Sequence, residues 1–230
     1  MKGSLAVVAV VCAVIAAGCN GHEPLGPPDS LNDGGVGNET LLVMAEVEVD
    51  SETGGFITRF EIDVFDSSNQ PVSDAEVTVV WNNTPVLVPE TSTSGFYLAQ
   101  VSGAGAGPAR LSVEKDSMYV RDVVLGNIGI HAVLTPAAGD TVAANEPLSV
   151  TWVSDFQAPY AELLTLDEFF EVQDVGSYSI PANRNDVIRS NQRIEIERQN
   201  EVEVTGGLSG SYFRLEVESY SGVFVVADQS

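Results

Sequence analysis

From residue 41 onward, apolar and polar side chains alternate with a period of two. In 41–50, Leu41, Val43, Ala45, Val47 and Val49 fall on one side and Glu46, Glu48 and Asp50 on the other. In 59–66, Phe60, Ile62 and Val64 oppose Arg59, Glu61 and Asp63; in 74–82, Ala75, Val77, Val79 and Trp81 oppose Glu76, Thr78 and Asn82. Successive side chains of a strand point to opposite faces, so this pattern predicts half-buried antiparallel strands. Gly54-Gly55, the run Asp66 to Pro71 and the run Gly103 to Pro108 supply turns between them. Several short strands punctuated in this way predict a sandwich.

The pattern resumes past residue 130. Leu148, Val150 and Trp152 share one parity, and further strands are expected at Ser177 to Ile180, Arg193 to Glu197, Tyr212 to Glu218 and Val223 to Ala227. Gln199-Asn200 and Gly206-Gly207 carry turn chemistry, and Pro181, which cannot donate to a ladder, ends its strand. In Ala158 to Val172 the spacing of Leu163, Leu164, Leu166, Phe169 and Phe170 suits a short helix as well as a strand. The strands on either side favour a strand at 160–166. The 190 residues after position 40 suffice for two domains of about 100 residues each.

Ahead of this pattern lies a different one. Lys2 is followed by an uninterrupted apolar run of 13 residues, Leu5 to Ala17. That is short of the roughly 20 residues a membrane-spanning helix needs and within the range of a signal-peptide core. Residues 20–40 hold five glycines and three prolines and almost no large apolar side chains. Such a stretch cannot bury enough surface to offset its ordering entropy, so it reads as a disordered tether.

Charge narrows the functions open to the chain. It carries 10 basic and 33 acidic residues, and removal of residues 1–18 would leave 9 against 33. Nucleic acid is excluded as a partner, because affinity there comes from Lys and Arg neutralising phosphates. Anionic headgroups repel such a chain, while cations and basic partners are allowed. His22 falls in the tether and His131 stands alone, so a Ser-His-Asp, Cys-His or histidine-ligated zinc centre lacks its residues. Cys12 leaves with the signal, which leaves Cys19 and no disulfide.

The candidate sites are correspondingly few. Asp167, Glu168, Glu171 and Asp174 are the densest acids and the best cation candidates, although their spacing matches no EF-hand loop. Glu46, Glu48, Asp50 and Glu52 read as a solvated face that guards against aggregation. Gly103 to Gly107 reads as a turn and not a phosphate loop, because Pro108 takes the last glycine's place. Trp81 and Trp152 fall on inward parities. Arg184, Arg189, Arg193 and Arg198 form the one basic concentration, read as local ion pairs. No catalytic set and no cofactor emerge.

Two resemblances follow. Ala16-Ala17-Gly18-Cys19 after the apolar run resembles the lipobox of bacterial lipoproteins, with Ala16 where leucine is commonest. It implies cleavage after residue 18, a diacylated thiol on Cys19 and anchoring by two or three acyl chains. Asn20 resembles lipoproteins that move on to an outer membrane. Further along, Asp66, Asn69-Gln70-Pro71-Val72, Ala75-Glu76-Val77 and Gly95-Phe96-Tyr97-Leu98-Ala99 resemble bacterial immunoglobulin-like and carboxypeptidase-regulatory-like domains. Thr135 to Asp140 with Pro147 to Trp152 resembles the opening hairpin of a second immunoglobulin- or fibronectin-like domain. The expected class is therefore all-β: a signal peptide (1–18), a lipidated tether (19–40) and two tandem antiparallel Ig-like β-sandwiches (41–127 and 130–228). Such domains serve as spacers, stalks and accessory modules. The expected function is a lipid-anchored envelope module without catalytic activity, with an envelope protein or glycan as partner. A carbohydrate-binding accessory lipoprotein and a carboxylate-based, cation-dependent enzyme are the alternatives.

Overall fold

The computed structural model describes residues 32–227 apart from Thr53. The expected signal peptide, Cys19 and most of the expected tether lie outside the described residues. Alternation becomes strand through both halves of the chain. β1 is Val36–Gly37, β2 Leu41–Glu52, β3 Gly55–Asp66, β4 Glu76–Trp81, β5 Thr84–Leu87, β6 Phe96–Ser102, β7 Ala109–Lys115 and β8 Met118–Leu125. There follow β9 His131–Thr135, β10 Thr141–Ala143, β11 Leu148–Ser154, β12 Tyr160–Thr165, β13 Phe169–Val172, β14 Ser177–Ile180, β15 Arg189–Glu203 and β16 Tyr212–Val226. The helical element among the described residues is a single 3-10 turn, Ala182–Arg184. The segment that suited helix or strand is the β12–β13 hairpin, with Ala161 opposite Val172 and Leu163 opposite Phe170.

The strands form three sheets. One has the order β1-β8-β7-β4-β5, one the order β14-β11-β9, and the largest runs β13-β12-β15-β16-β2-β3-β6 with β10 added beside β16. The large sheet is common to two cores. Against the five-stranded sheet it buries Val43, Val47, Phe60, Ile62, Phe213 and Leu215 among Val79, Trp81, Leu111 and Val123. Against the three-stranded sheet it buries Leu163, Ile194, Ile196 and Val223 among Val150, Trp152 and Ile180. The class is all-β and the architecture a pair of β-sandwiches that share the large sheet. Tyr97 pins the first: its hydroxyl donates to the Val72 carbonyl at 2.7 Å and accepts from the Ala75 amide at 2.8 Å.

Three expectations need correction. First, the boundary at 127–130 does not part the two cores. β15 and β16 each run 15 residues and serve both. Phe213, Leu215 and Val217 lie in the first core and Val223 in the second. Tyr212 to Val217 pairs in parallel with Met44 to Val49, and Phe224 to Val226 in parallel with Thr141 to Ala143. The two strands expected at 212–218 and 223–227 are one, because Ser219 and Ser221 carry the inward parity of Val217 on to Val223. Both serines keep that parity and stay buried, and Ser221 donates to the Pro136 carbonyl at 2.8 Å.

Second, Gln199-Asn200 is not a turn but the middle of β15. The Asn200 amide is satisfied inside, donating to the Gly126 carbonyl at 2.7 Å and to Asn32 Oδ1 at 3.1 Å. Third, residues 32–40 are not tether. Asp33 bridges to Val124, and β1 pairs with β8. The glycines there serve close approach: a Cβ on Gly37 would stand 2.5 Å from the Gly206 carbonyl oxygen, and one on Gly34 2.0 Å from Thr205 Oγ1.

Candidate functional site

The four acids proposed as a cation site do not converge. Asp167 pairs with Arg189 at 2.5 Å and Glu168 pairs with Arg184. Glu171 lies opposite Glu162 on the outer face of the β12–β13 hairpin. Asp174 is wholly buried at the junction of the two cores. It accepts from Trp152 Nε1 at 2.7 Å, the Ala158 amide at 2.6 Å and Arg198 Nε at 2.8 Å. Its oxygens are spent on structure, and no cation shell can be assembled from the four. The basic concentration is spent on pairs too, because Arg193 meets Glu195 at 2.7 Å while Arg198 turns inward.

That inward turn builds a polar joint between the cores. Arg198 continues the inward parity of Ile194 and Ile196 and is fully buried. Beyond Asp174 it donates to the carbonyls of Gly129, at 3.2 Å, and Phe156. His131 is buried beside it, its Nε2 2.8 Å from the Ile196 carbonyl oxygen. Burial, and then the Arg198 charge, push the His131 pKa down to about 4, so the ring is neutral. A neutral, enclosed imidazole with no exposed face does structural work. The sequence carried a signal for this joint, since Arg198 and Asn200 extend a strand parity that begins with isoleucines.

The outer face of the large sheet holds the densest surface chemistry. Register sets Glu162 opposite Glu171, Glu197 opposite Glu162 and Glu218 opposite Glu197. The row continues into β2, where carboxylate oxygens of Glu48, Asp50 and Glu218 lie within 4.8 Å of one another. Those of Glu197, Glu216 and Glu218 are equally close. Alternation along one strand keeps like charges ~6.6–7 Å apart, but neighbouring strands are only about 4.8 Å apart. The expectation of a solvated face that guards against aggregation is therefore corrected in part: β2 is a central strand, Glu46, Glu48 and Asp50 are half-buried, and of the four only Glu52 is exposed.

Three arginines sit among these acids. Arg59 meets Glu48 at 2.7 Å, Arg193 meets Glu218 at 3.7 Å, and Arg214 bridges Glu46 at 3.0 Å and Glu201 at 2.8 Å. Glu216 has Gln199 Nε2, 3.3 Å away, as its donor. Burial first, then Glu197 and Glu218, push the Glu216 pKa up to about 8. Burial, then a hydrogen bond shared with Glu195 and the charges of Glu195 and Asp50, push Glu218 up to about 7. Glu48 and Glu197 are raised as well, in both cases chiefly by burial. A groove of about 250 Å³ runs past Asp50, Glu52, Arg193, Glu218 and Tyr220, and three carboxylates there fall short of the six to eight oxygens that surround calcium.

Along the same face two open grooves flank Tyr160. One, of about 560 Å³, runs past Gln157, Glu171 and Gln173; the other, of about 460 Å³, past Glu162, Gln199 and Arg214. Tyr160 is 41% exposed and its hydroxyl donates to Glu162 Oε1 at 2.8 Å. No helix among the described residues is long and apolar enough to cross a membrane.

No family model matches the chain, and no curated protein matches it. Solved structures similar to it include the fibronectin(III)-like modules of Clostridium thermocellum CbhA, at 15% identity, covering 80% of this chain and 93% of that one with a TM-score of 0.30. The tandem Ig repeats of Dlar match at 11% identity, over 83% of this chain and all of that one, with a TM-score of 0.30. The Yersinia pseudotuberculosis adhesin InvE matches at 14% identity over 78% of this chain and 60% of that one, with a TM-score of 0.25. The sandwich architecture is read from this chain's own sheets and cores.

Proposed function

We propose that the protein is a lipid-anchored module of the bacterial cell envelope, held through Cys19 and serving to bind or display rather than to catalyse. The observation that carries this reading is the lipobox-like run ending in Ala16-Ala17-Gly18-Cys19 behind a 13-residue apolar segment. Two or three acyl chains at one cysteine give firm anchoring where a single chain is marginal. Asn20 favours the outer membrane, and an envelope protein or glycan is the partner class. The acid-based enzyme reading is weakened, because Asp167, Glu168 and Asp174 are each paired to an arginine.

The test is Cys19→Ser. The variant is expected to leave the membrane fraction or to accumulate unprocessed, and the wild-type mature mass is expected to exceed the cleaved chain by two or three acyl groups. A variant that stays in membranes at wild-type level with an unchanged mature mass would refute the anchor.

A second reading, an accessory carbohydrate-binding unit, is favoured by Tyr160. It sets an exposed ring between two grooves lined by amide and carboxylate side chains, the combination a sugar's apolar face and hydroxyls require. Binding on a glycan array that Tyr160→Ala abolishes would support it, and an array without hits would remove it.

A further inference from the structure

The carboxylate row lies where the two sandwiches are spliced. β12 and the first half of β15 belong to the second core, β2 and β3 to the first, and β16 passes between them. Residues 216 and 217 of β16 are flanked on both sides, by β15 and by β2. From the first unit, β2 presents Glu46, Glu48 and Asp50 to this point, and β3 presents Arg59 and Glu61 behind them. From the second unit, β15 presents Arg193, Glu195, Glu197 and Glu201, with Glu162 of β12 and Glu171 of β13 beyond. β16 itself adds Tyr212, Arg214 and Tyr220 to either side of Glu216 and Glu218.

We propose that this splice is a proton-sensitive joint, in which protons held among Glu48, Glu197, Glu216 and Glu218 keep β16 seated between β2 and β15, and their loss loosens the coupling of the two sandwiches. The geometry carries the inference. Full ionisation would set three carboxylates within 4.8 Å of one another twice over, Glu48, Asp50 and Glu218 across β2 and β16 and Glu197, Glu216 and Glu218 across β15 and β16, with Glu218 common to both. Like charges directly opposite destabilise a strand pair. Arg59 reaches Glu48 and Arg193 reaches Glu218, but among the described residues no arginine pairs with Glu197 or Glu216, and Arg214 is committed to Glu46 and Glu201. One proton shared by such a group turns repulsion into a carboxyl-to-carboxylate hydrogen bond.

The sign follows from linkage. Glu216 and Glu218 titrate higher folded than unfolded, about 8 and about 7 against 4.5. The stability they add is fully present below pH 4.5 and is lost as the pH rises through about 7 to 8. His131 acts oppositely. It is neutral when folded, so the protein loses stability as the pH falls below 6.5 toward 4. The joint must therefore be observed above pH 6.5, where His131 is silent.

The experiment is thermal unfolding of the full chain in detergent from pH 6.5 to 8.5, paired with amide hydrogen exchange corrected for its intrinsic pH dependence. Wild type is expected to lose roughly 3–5 °C in Tm across that range, after discounting for the partial exposure of the face. Exchange should quicken selectively at 44–49 and 212–217. The variant Glu216→Gln/Glu218→Gln should keep less than half of that fall and melt above wild type at pH 8.5. A wild-type Tm that is level or rises toward pH 8.5 overturns the proposal. So does a double variant that keeps the full fall, or a loss of protection spread evenly over both cores. Each readout is independent of whether Cys19 carries lipid, so failure here leaves the anchoring proposal standing.

Discussion

At the scale of single residues, the joint between the cores depends on Asp174. Its side chain and that of Arg198 are both fully buried, and Asp174 also satisfies Trp152 and the Ala158 amide. Removing one member of such a pair leaves an uncompensated charge, a loss of about 3–5 kcal/mol. Asp174→Ala is therefore expected to lower unfolding stability by that amount in urea titration, with both cores affected. A loss under about 1 kcal/mol would mean that water reaches Arg198 and replaces its partner. The sequence singled out Asp174, but as a cation ligand in an acidic loop. The error is physical in origin: Asp167, Glu168, Glu171 and Asp174 are near in sequence, yet the β12–β13 hairpin turns their side chains to different surroundings. Arg198 was legible only as one of four clustered arginines. Its parity with Ile194 and Ile196 was the better guide to where it points.

At the scale of elements, period-two alternation located the strands well, because one buried face fixes which residues point inward. It located β2, β3, β4, β11 and β14 to within a few residues. What it could not supply was pairing. The parallel ladder of β16 on β2 joins residues 168 apart, Tyr212 with Met44, and nothing local marks it. The carboxylate row was hidden for the same reason, since its members occupy outward positions on five strands and only the register makes them neighbours. The glycines of 32–40 misled in the other direction, suggesting freedom where Gly37 and Gly206 pack backbone against backbone. The splice has a direct consequence. A fragment of residues 41–127 lacks Phe213, Leu215 and Val217, all at most 2% exposed in the first core, and leaves the β2 edge open. It is expected to show weak, non-cooperative structure by circular dichroism and poor dispersion in proton NMR, whereas 32–227 folds. A cooperative melt of the fragment alone would show that β16 is an addition to the first sandwich and not part of its core.

At the scale of the whole molecule, the net charge of −23 opposes the compact state, and much of it is gathered on one face of one sheet. Self-repulsion of that kind is screened over about 8 Å at physiological ionic strength. The spacing within the Glu48/Asp50/Glu218 and Glu197/Glu216/Glu218 clusters is shorter than this, 4.8 Å or less, so added salt relieves it only in part. Moderate sodium chloride at pH 8 is therefore expected to raise the Tm by a few degrees and then level off. Calcium is expected to do no more than sodium at equal ionic strength, because each cluster of the face brings together three carboxylates, against the six to eight oxygens of a calcium shell. The measurement is a matched pair of melting series at constant ionic strength. A calcium-specific rise that saturates between micromolar and millimolar concentration would be ligand linkage and not screening. Such a rise, abolished by Glu218→Gln, would recast the row as a cation site. Equal curves for the two salts would leave repulsion, relieved by protons and blunted by salt, as the force that sets how firmly the two sandwiches are held together.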